Sequence, residues 1–230
     1  MAKIILIETS ATDCTVALGI DGVAVAMAKA DEPRSHASMT APLVKQVLDE
    51  AGLKVADCDA VCLSKGPGSY TGLRVGSSTA KGLCFGASLP LIAIGTSDLI
   101  ASEALAQAAG PFSHVVTMID ARRLEVYAAV YSADLRQVSP VAPVVVEPGS
   151  FSELSGAGPV LFAGDGALKC REVLAASFPD AVFAEVLPHA DAMAPLAERA
   201  FAESRFENLA YFEPFYLKQF VATLPRKKLF

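Results

Sequence analysis

Lys65-Gly66-Pro67-Gly68-Ser69-Tyr70-Thr71-Gly72-Leu73-Arg74-Val75-Gly76 runs on through Ala80-Lys81-Gly82-Leu83 to Gly86. An apolar run at 60–63 precedes it and reads as a short strand, and a helix is expected from about 73 to 86. Gly66, Gly68 and Ser69 therefore fall in a strand-to-helix turn. Backbone amides at such a place can cradle an anion, because a helix N-terminus presents free donors and partial positive charge. Neither standard phosphate motif is present. A dinucleotide fingerprint needs glycine where Thr71 stands, and a Walker loop needs Gly-Lys-Ser/Thr where Gly72-Leu73-Arg74 stands. A plain tight turn and an anion contact both remain open readings. In the helix, Gly72, Gly76 and Ala80 are spaced by four, as are Ser78, Gly82 and Gly86. Each internal glycine costs roughly 1 kcal/mol relative to alanine. A helix that accepts several needs a smooth face, against its own sheet or another protein. Arg74 and Lys81 exclude a membrane partner.

Working outward, 3–8 is apolar throughout, as in a buried central strand. Turn chemistry at 9–13 leads to a strand at 15–20, an Asp21-Gly22 hairpin signal and a strand at 23–28. Ser35 or Ser38 caps a helix reaching Glu50, with Leu43, Val44, Val47 and Leu48 at helical spacing and Gly52 just past its end. A strand at 89–94 and a helix from Thr96 to 109 close the first half. The second half opens like the first. A strand at 114–119 ends in a carboxylate, Asp120, and returns at 125–131 after a polar turn, as 3–8 ends in Glu8 and returns at 15–20. This duplication predicts two related lobes facing a cleft, divided as 1–110 and 111–230. Further elements are expected at 144–147, 160–163, 168–176 and 190–203, with a turn at Gly164-Asp165-Gly166.

Of 230 residues, 53% are hydrophobic and 19% charged, which excludes a disordered chain. No run of about 20 apolar residues is present, and the N-terminus lacks the long apolar region of an export signal, so a cytoplasmic protein is expected. The formal net charge of −6 disfavours a broad nucleic-acid-binding face. The five cysteines form no Cys-x-x-Cys pair and read as buried free thiols, with Cys58 and Cys62 expected on one strand face.

The Lys65–Leu83 stretch resembles the signature of the TsaB family, also called YeaZ. The opening Ile7-Glu8-Thr9-Ser10-Ala11-Thr12 is similar to the family's first strand and turn. Ile119-Asp120-Ala121-Arg122-Arg123-Leu124-Glu125-Val126-Tyr127 and Glu213-Pro214-Phe215-Tyr216-Leu217-Lys218 also fit, with Lys218 where arginine is frequent. The resemblance implies an α/β fold, a two-lobed actin-like ATPase (ribonuclease H-like) plan with a mixed sheet and flanking helices in each lobe. It implies a role in adding threonylcarbamoyl to adenosine 37 of tRNA. The partners it implies are a TsaD-like catalytic paralogue and a TsaE-like ATPase, with tRNA reached through the complex. The paralogue's metal-binding His-x-x-x-His would fall on Thr96 and Ile100, which cannot form an imidazole site.

On that basis no catalytic residue and no metal ligand is expected. Docking of the paralogue, or of a second copy when the partner is absent, is expected through Met39, Leu43, Val47, Arg74, Gly76, Thr79, Ala80 and Leu83. Nucleotide or anion contacts are candidates at Glu8, Thr9, Ser10, Gly66, Gly68, Ser69, Asp120, Gly164 and Asp165. Glu8 and Asp120 hold the strand-end positions where actin-like ATPases place magnesium-binding carboxylates. No cofactor is required, and ATP or ADP with magnesium is expected weakly or only at an interface. Arg226-Lys227-Lys228 is a basic tail, either frayed or touching an acidic or phosphate surface. A nucleotide-dependent enzyme and a glycoprotease-type peptidase are the competing readings. The peptidase lacks metal ligands and a Gly-x-Ser-x-Gly elbow.

Overall fold

The computed structural model describes residues 2–32 and 35–217. Lys218 and the basic residues 226–228 lie outside the described residues. The first sheet contains β1 (Lys3–Glu8), β2 (Thr15–Ile20), β3 (Val23–Lys29), β4 (Ala60–Gly66) and β5 (Leu91–Gly95), in the order β3-β2-β1-β4-β5. The second contains β6 (His114–Asp120), β7 (Glu125–Ser132), β8 (Gln137–Val145), β9 (Val160–Ala163) and β10 (Val182–Ala184), in the order β8-β7-β6-β9-β10. The two orders are the same plan. In each, the opening strand pairs antiparallel with the second and parallel with the fourth. This repetition is the two-lobed actin-like architecture, and it confirms the duplication read from the two strand-carboxylate-turn openings.

The helices are α1 (His36–Glu50), α2 (Tyr70–Ala87), α3 (Thr96–Gln107), α4 (Ala167–Leu174) and α5 (Ala194–Ala202). α1 and α2 cover one face of the first sheet, where Leu43, Val44, Val47 and Leu48 of α1 and Ala80 and Cys84 of α2 pack on Ile5, Ile7, Val61 and Leu63. α5 covers the other face, with Ala194, Leu196, Ala197 and Ala200 against Ile4, Leu6, Cys62 and Ile92. The division at residue 110 therefore does not separate the two cores, because the chain returns to the first sheet from Ala190 onward. α3 joins the lobes. Its Leu99 packs in the first-lobe core, while Ile100, Ala101 and Ala104 pack against Val115, Ile119 and Tyr131 of the second.

Several boundaries differ from the periodicity. α2 begins at Tyr70 because Ser69 acts as its N-cap, accepting the Gly72 amide on its hydroxyl. β8 starts seven residues earlier than the expected 144, since Pro140 and Pro143 hide it, and its edge position tolerates them. Cys58 and Cys62 lie on opposite sides of the first sheet rather than on one face, because Cys58 precedes β4.

The glycines of α2 divide into two sets. A Cβ at Gly72 would overlap the Thr9 carbonyl oxygen, one at Gly76 the Thr9 hydroxyl, and one at Gly68 the Ser10 carbonyl oxygen. These three let the turn after β1 lie directly on the helix. Gly82 and Gly86 face open space instead. Gly76→Ala should therefore destabilise the fold by about 1–3 kcal/mol through overpacking, whereas Gly82→Ala should stabilise it by about 1 kcal/mol through helix propensity. Urea denaturation of the two variants reads the difference, and effects of the same sign would refute it.

Candidate functional site

The lobes enclose a cleft of about 860 Å³. Its walls come from the turn after β1 (Ser10, Ala11, Thr12), the start of α2 (Gly68, Ser69, Tyr70), the turn after β6 (Asp120, Arg122) and the segment Phe215–Leu217. Ser10, Gly68, Ser69, Asp120 and Asp165 of the expected contacts line it. Glu8, Thr9, Gly66 and Gly164 sit behind the wall. Thr96 and Ile100 also line the cleft, one helical turn apart on α3.

Several of the groups expected at a magnesium-nucleotide make bonds within the chain. Glu8 is fully buried, and its Oε1 accepts from the Ser10 amide at 2.5 Å and the Ser10 hydroxyl at 2.6 Å. It braces the turn through Oε1, while its buried Oε2 has no hydrogen-bond partner among the described residues. Asp120 accepts from Lys169 Nζ and from the Arg122 amide at 2.7 Å. Burial pushes its carboxyl upward, but the Lys169 hydrogen bond and charge and the Arg122 amide outweigh this and hold it below the usual carboxylate range. Asp165 Oδ1 accepts the Asp120 amide at 2.8 Å. At the start of α2, the Ser69 amide donates to the Ser10 carbonyl at 2.7 Å and the Gly72 amide to Ser69 Oγ at 3.3 Å. The glycine-rich turn is thus closed over by the chain's own backbone. Gly164 has φ of +127° and packs on the Met118 carbonyl, so it too serves the fold.

Gly66 has a separate role. Its φ is +109°, and a Cβ there would stand 2.7 Å from the Phe215 carbonyl oxygen. The Phe215 amide donates to the Lys65 carbonyl at 2.7 Å, and Lys81 Nζ donates to the Phe212 carbonyl at 2.8 Å. The Tyr216 ring packs on Tyr70 at a 43° tilt with centroids 4.9 Å apart, and the Arg74 guanidinium lies 4.3 Å from the Tyr70 centroid. The segment 212–217 is thereby strapped along the glycine-rich helix.

The histidines are separate. His36 Nε2 is 3.1 Å from the Ala11 carbonyl, His114 contacts Ser113, and His189 contacts Glu103 and Asp13.

The expected docking residues also divide. Leu43, Val47, Gly76 and Ala80 are buried in the first-lobe core and present no surface; amphipathic spacing alone could not tell a core stripe from a docking stripe. Met39, Thr79 and Leu83 are half-buried at its margin, and Arg74 is exposed. The outward side of α2 consists of Arg74, Ser78, Gly82, Phe85 and Gly86, beside Ser38, Ala41, Pro42 and Lys45 of α1. Phe85 is 83% exposed. It was missed by the sequence reading, although an aromatic between two unexplained glycines was the available signal.

Burial pushes the Glu8 carboxyl up to about 7, with the Ser10 bonds opposing. A folded-state value above the unfolded one means that its contribution is fully present below about 4.5 and lost as pH rises through 7, on the order of 3 kcal/mol. Glu8→Gln should remove this fall. Chemical denaturation of both proteins at pH 5 and pH 8 checks it, and an equal loss of stability in the variant would count against it.

Among known proteins, a family model described as TsaD, tRNA N6-adenosine threonylcarbamoyltransferase, matches residues 31–224. The tRNA threonylcarbamoyladenosine biosynthesis protein TsaB of Escherichia coli is 32% identical across 98% of this chain and 100% of its own. YeaZ from Pseudomonas aeruginosa superposes with a TM-score of 0.79 at 28% identity, over 94% of this chain and 100% of that one. A second Pseudomonas aeruginosa structure, described as similar to peptidase YeaZ, gives 0.82 at 29% identity over 95% and 100%. With matches of this length on both fold and sequence, the chain belongs to the TsaB (YeaZ) family, within the wider group that the TsaD model describes.

Proposed function

We propose that this chain acts in tRNA threonylcarbamoyladenosine biosynthesis as a non-catalytic docking subunit. The catalytic partner is a TsaD-like paralogue, and its seat is the outward side of α2 and α1. The observation that carries this reading is Phe85, 83% exposed between Gly82 and Gly86, which face open space. The two glycines weaken the helix by roughly 1 kcal/mol each and return nothing inside the chain. A flat strip with one projecting aromatic suits close approach of a second backbone, with the ring as an anchor. α1 and α2 cover the same sheet face, so their outward sides form one continuous surface.

The cleft supports the same reading from the other direction. Glu8 is buried, Asp120 is paired with Lys169, and the Ser69, Gly72 and Leu73 amides are taken by Ser10 and Ser69. The reading requires no nucleotide or magnesium; any ATP or ADP is held weakly or at the partner interface. A TsaE-like ATPase joins the assembly, tRNA is met within it, and in the absence of the partner two copies meet through the same strip. The location is cytoplasmic; among the described residues no helix is long and apolar enough to cross a membrane. No observation favours a self-sufficient ATPase or peptidase.

A bulky change at Gly76 would disrupt the fold and is uninformative about docking. Phe85→Glu and Gly82→Leu are the informative variants. Neither should lower the thermal midpoint, which Gly82→Leu should raise through helix propensity, and each should weaken partner binding by roughly 30-fold or more, the loss of about 2 kcal/mol typical of an anchor residue. Size-exclusion chromatography with the purified paralogue, followed by a reconstituted tRNA-modification assay, measures both. Wild-type assembly and activity in these variants would refute the docking reading.

A further inference from the structure

The turn after β6 carries a feature that neither the fold nor the docking surface explains. Arg122 and Arg123 have φ of +78° and +54°. Two successive non-glycine residues in the left-handed region are strained, and asparagine or glycine is the ordinary solution in a hairpin. The turn closes with the Ala121 amide donating to the Glu125 carbonyl and the Glu125 amide to the Arg122 carbonyl, both at 3.1 Å. Those are backbone bonds that glycine would make equally well. The arginine side chains add no hydrogen bond to the fold among the described residues, although the Arg122 charge favours the ionised Asp120. Both residues are exposed, and among the described residues neither guanidinium makes an ion pair or hydrogen bond. Persistent strain of this kind marks positions where the side chain serves something outside the chain.

The neighbourhood says what that is. Asp120, the acid at the same turn, is paired with Lys169 and within electrostatic reach of Arg122, and Asp165 and Glu125 stand beside it, so Arg122 and Arg123 are the exposed cations of a tip of mixed charge. Arg122 lines the cleft together with Tyr127, which stands on the returning strand, half-buried and without a ring partner among the described residues. Across the cleft are the Tyr70–Tyr216 pair and Arg74. The wall also holds Thr96, whose buried hydroxyl has no hydrogen-bond partner among the described residues. Exposed guanidinium groups beside a phenol ring and an unpaired hydroxyl match a phosphate, a base and a ribose in turn. A cleft of about 860 Å³ admits a flipped-out nucleotide and excludes a duplex.

We propose that the Arg122–Arg123 hairpin tip and the Tyr127 wall form a contact for single-stranded RNA, with two backbone phosphates on the arginines and one unstacked base in the cleft mouth. This rests on the role in tRNA modification proposed above and makes the contact direct, through this chain's own second lobe.

The test uses the full-length chain, alone and assembled with the catalytic paralogue. The probe is a fluorescein-labelled anticodon-arm stem-loop, titrated by anisotropy across a potassium chloride series. Glycine accepts positive φ freely, so Arg122→Gly/Arg123→Gly should fold with a thermal midpoint no lower than wild type. It should bind the RNA roughly tenfold more weakly, and the slope of log affinity against log salt should fall by about 1.4, or 0.7 per phosphate. Tyr127→Leu should weaken binding without changing the slope. Unchanged affinity and slope in the arginine variant, for the chain and the complex, would overturn the proposal. So would a variant that loses only competition by free AMP or inorganic phosphate while holding RNA as before. Failure of the wild-type chain to assemble would refute the docking reading instead, and the titration of the chain alone would still decide this one.

Discussion

The contact between the turn after β1 and the glycine-rich helix organises this molecule. Thr9 and Ser10 lie so close to α2 and its leading turn that a Cβ at Gly68 or Gly72 would overlap their backbone and one at Gly76 the Thr9 hydroxyl. Glu8 holds the turn from beneath with two bonds from Ser10, and the Ser69 amide ties the helix start to the Ser10 carbonyl. A buried carboxyl that would be costly alone is stabilised by those donors. α2 is thereby fixed on the first sheet with its other side turned outward, and the strap 212–217 is laid along it.

The same contact explains what has become of the cleft. In a two-lobed fold of this kind, the space between the two opening turns is where a ligand meets both lobes. Here one turn has collapsed onto the helix, and the carboxylate of the other is held by Lys169. What stays open is aromatic and hydroxyl-rich, with Arg122 as an exposed cation beside Asp120. The outward face of α2 is consequently the surface where this chain leaves stabilisation unrealised in isolation.

Much of the fold was legible in the sequence. The buried central strand 3–8, the hairpin at Asp21-Gly22 and the repeated strand-carboxylate-turn at Glu8 and Asp120 follow from apolar runs and turn residues, which act locally. The strand with Pro140 and Pro143 was partly illegible because only its edge position makes those prolines acceptable. The return of α5 to the first sheet was illegible because nothing local in Ala194–Ala202 names the face it covers.

The sequence by itself determined that the helix after Ser69 needs smooth faces, that the two halves repeat one plan, and which family's motifs the chain carries. It left two partners possible for the glycines. Only the tertiary structure decided that Gly72 and Gly76 face Thr9 while Gly82 and Gly86 face open space. It likewise decided that Leu43, Val47 and Ala80 are core, and that Glu8 is buried while Asp120 is paired. The reason is geometric. Periodicity records that a face is apolar or small, but what lies against that face is set by residues distant in the chain, whose approach only the folded backbone defines.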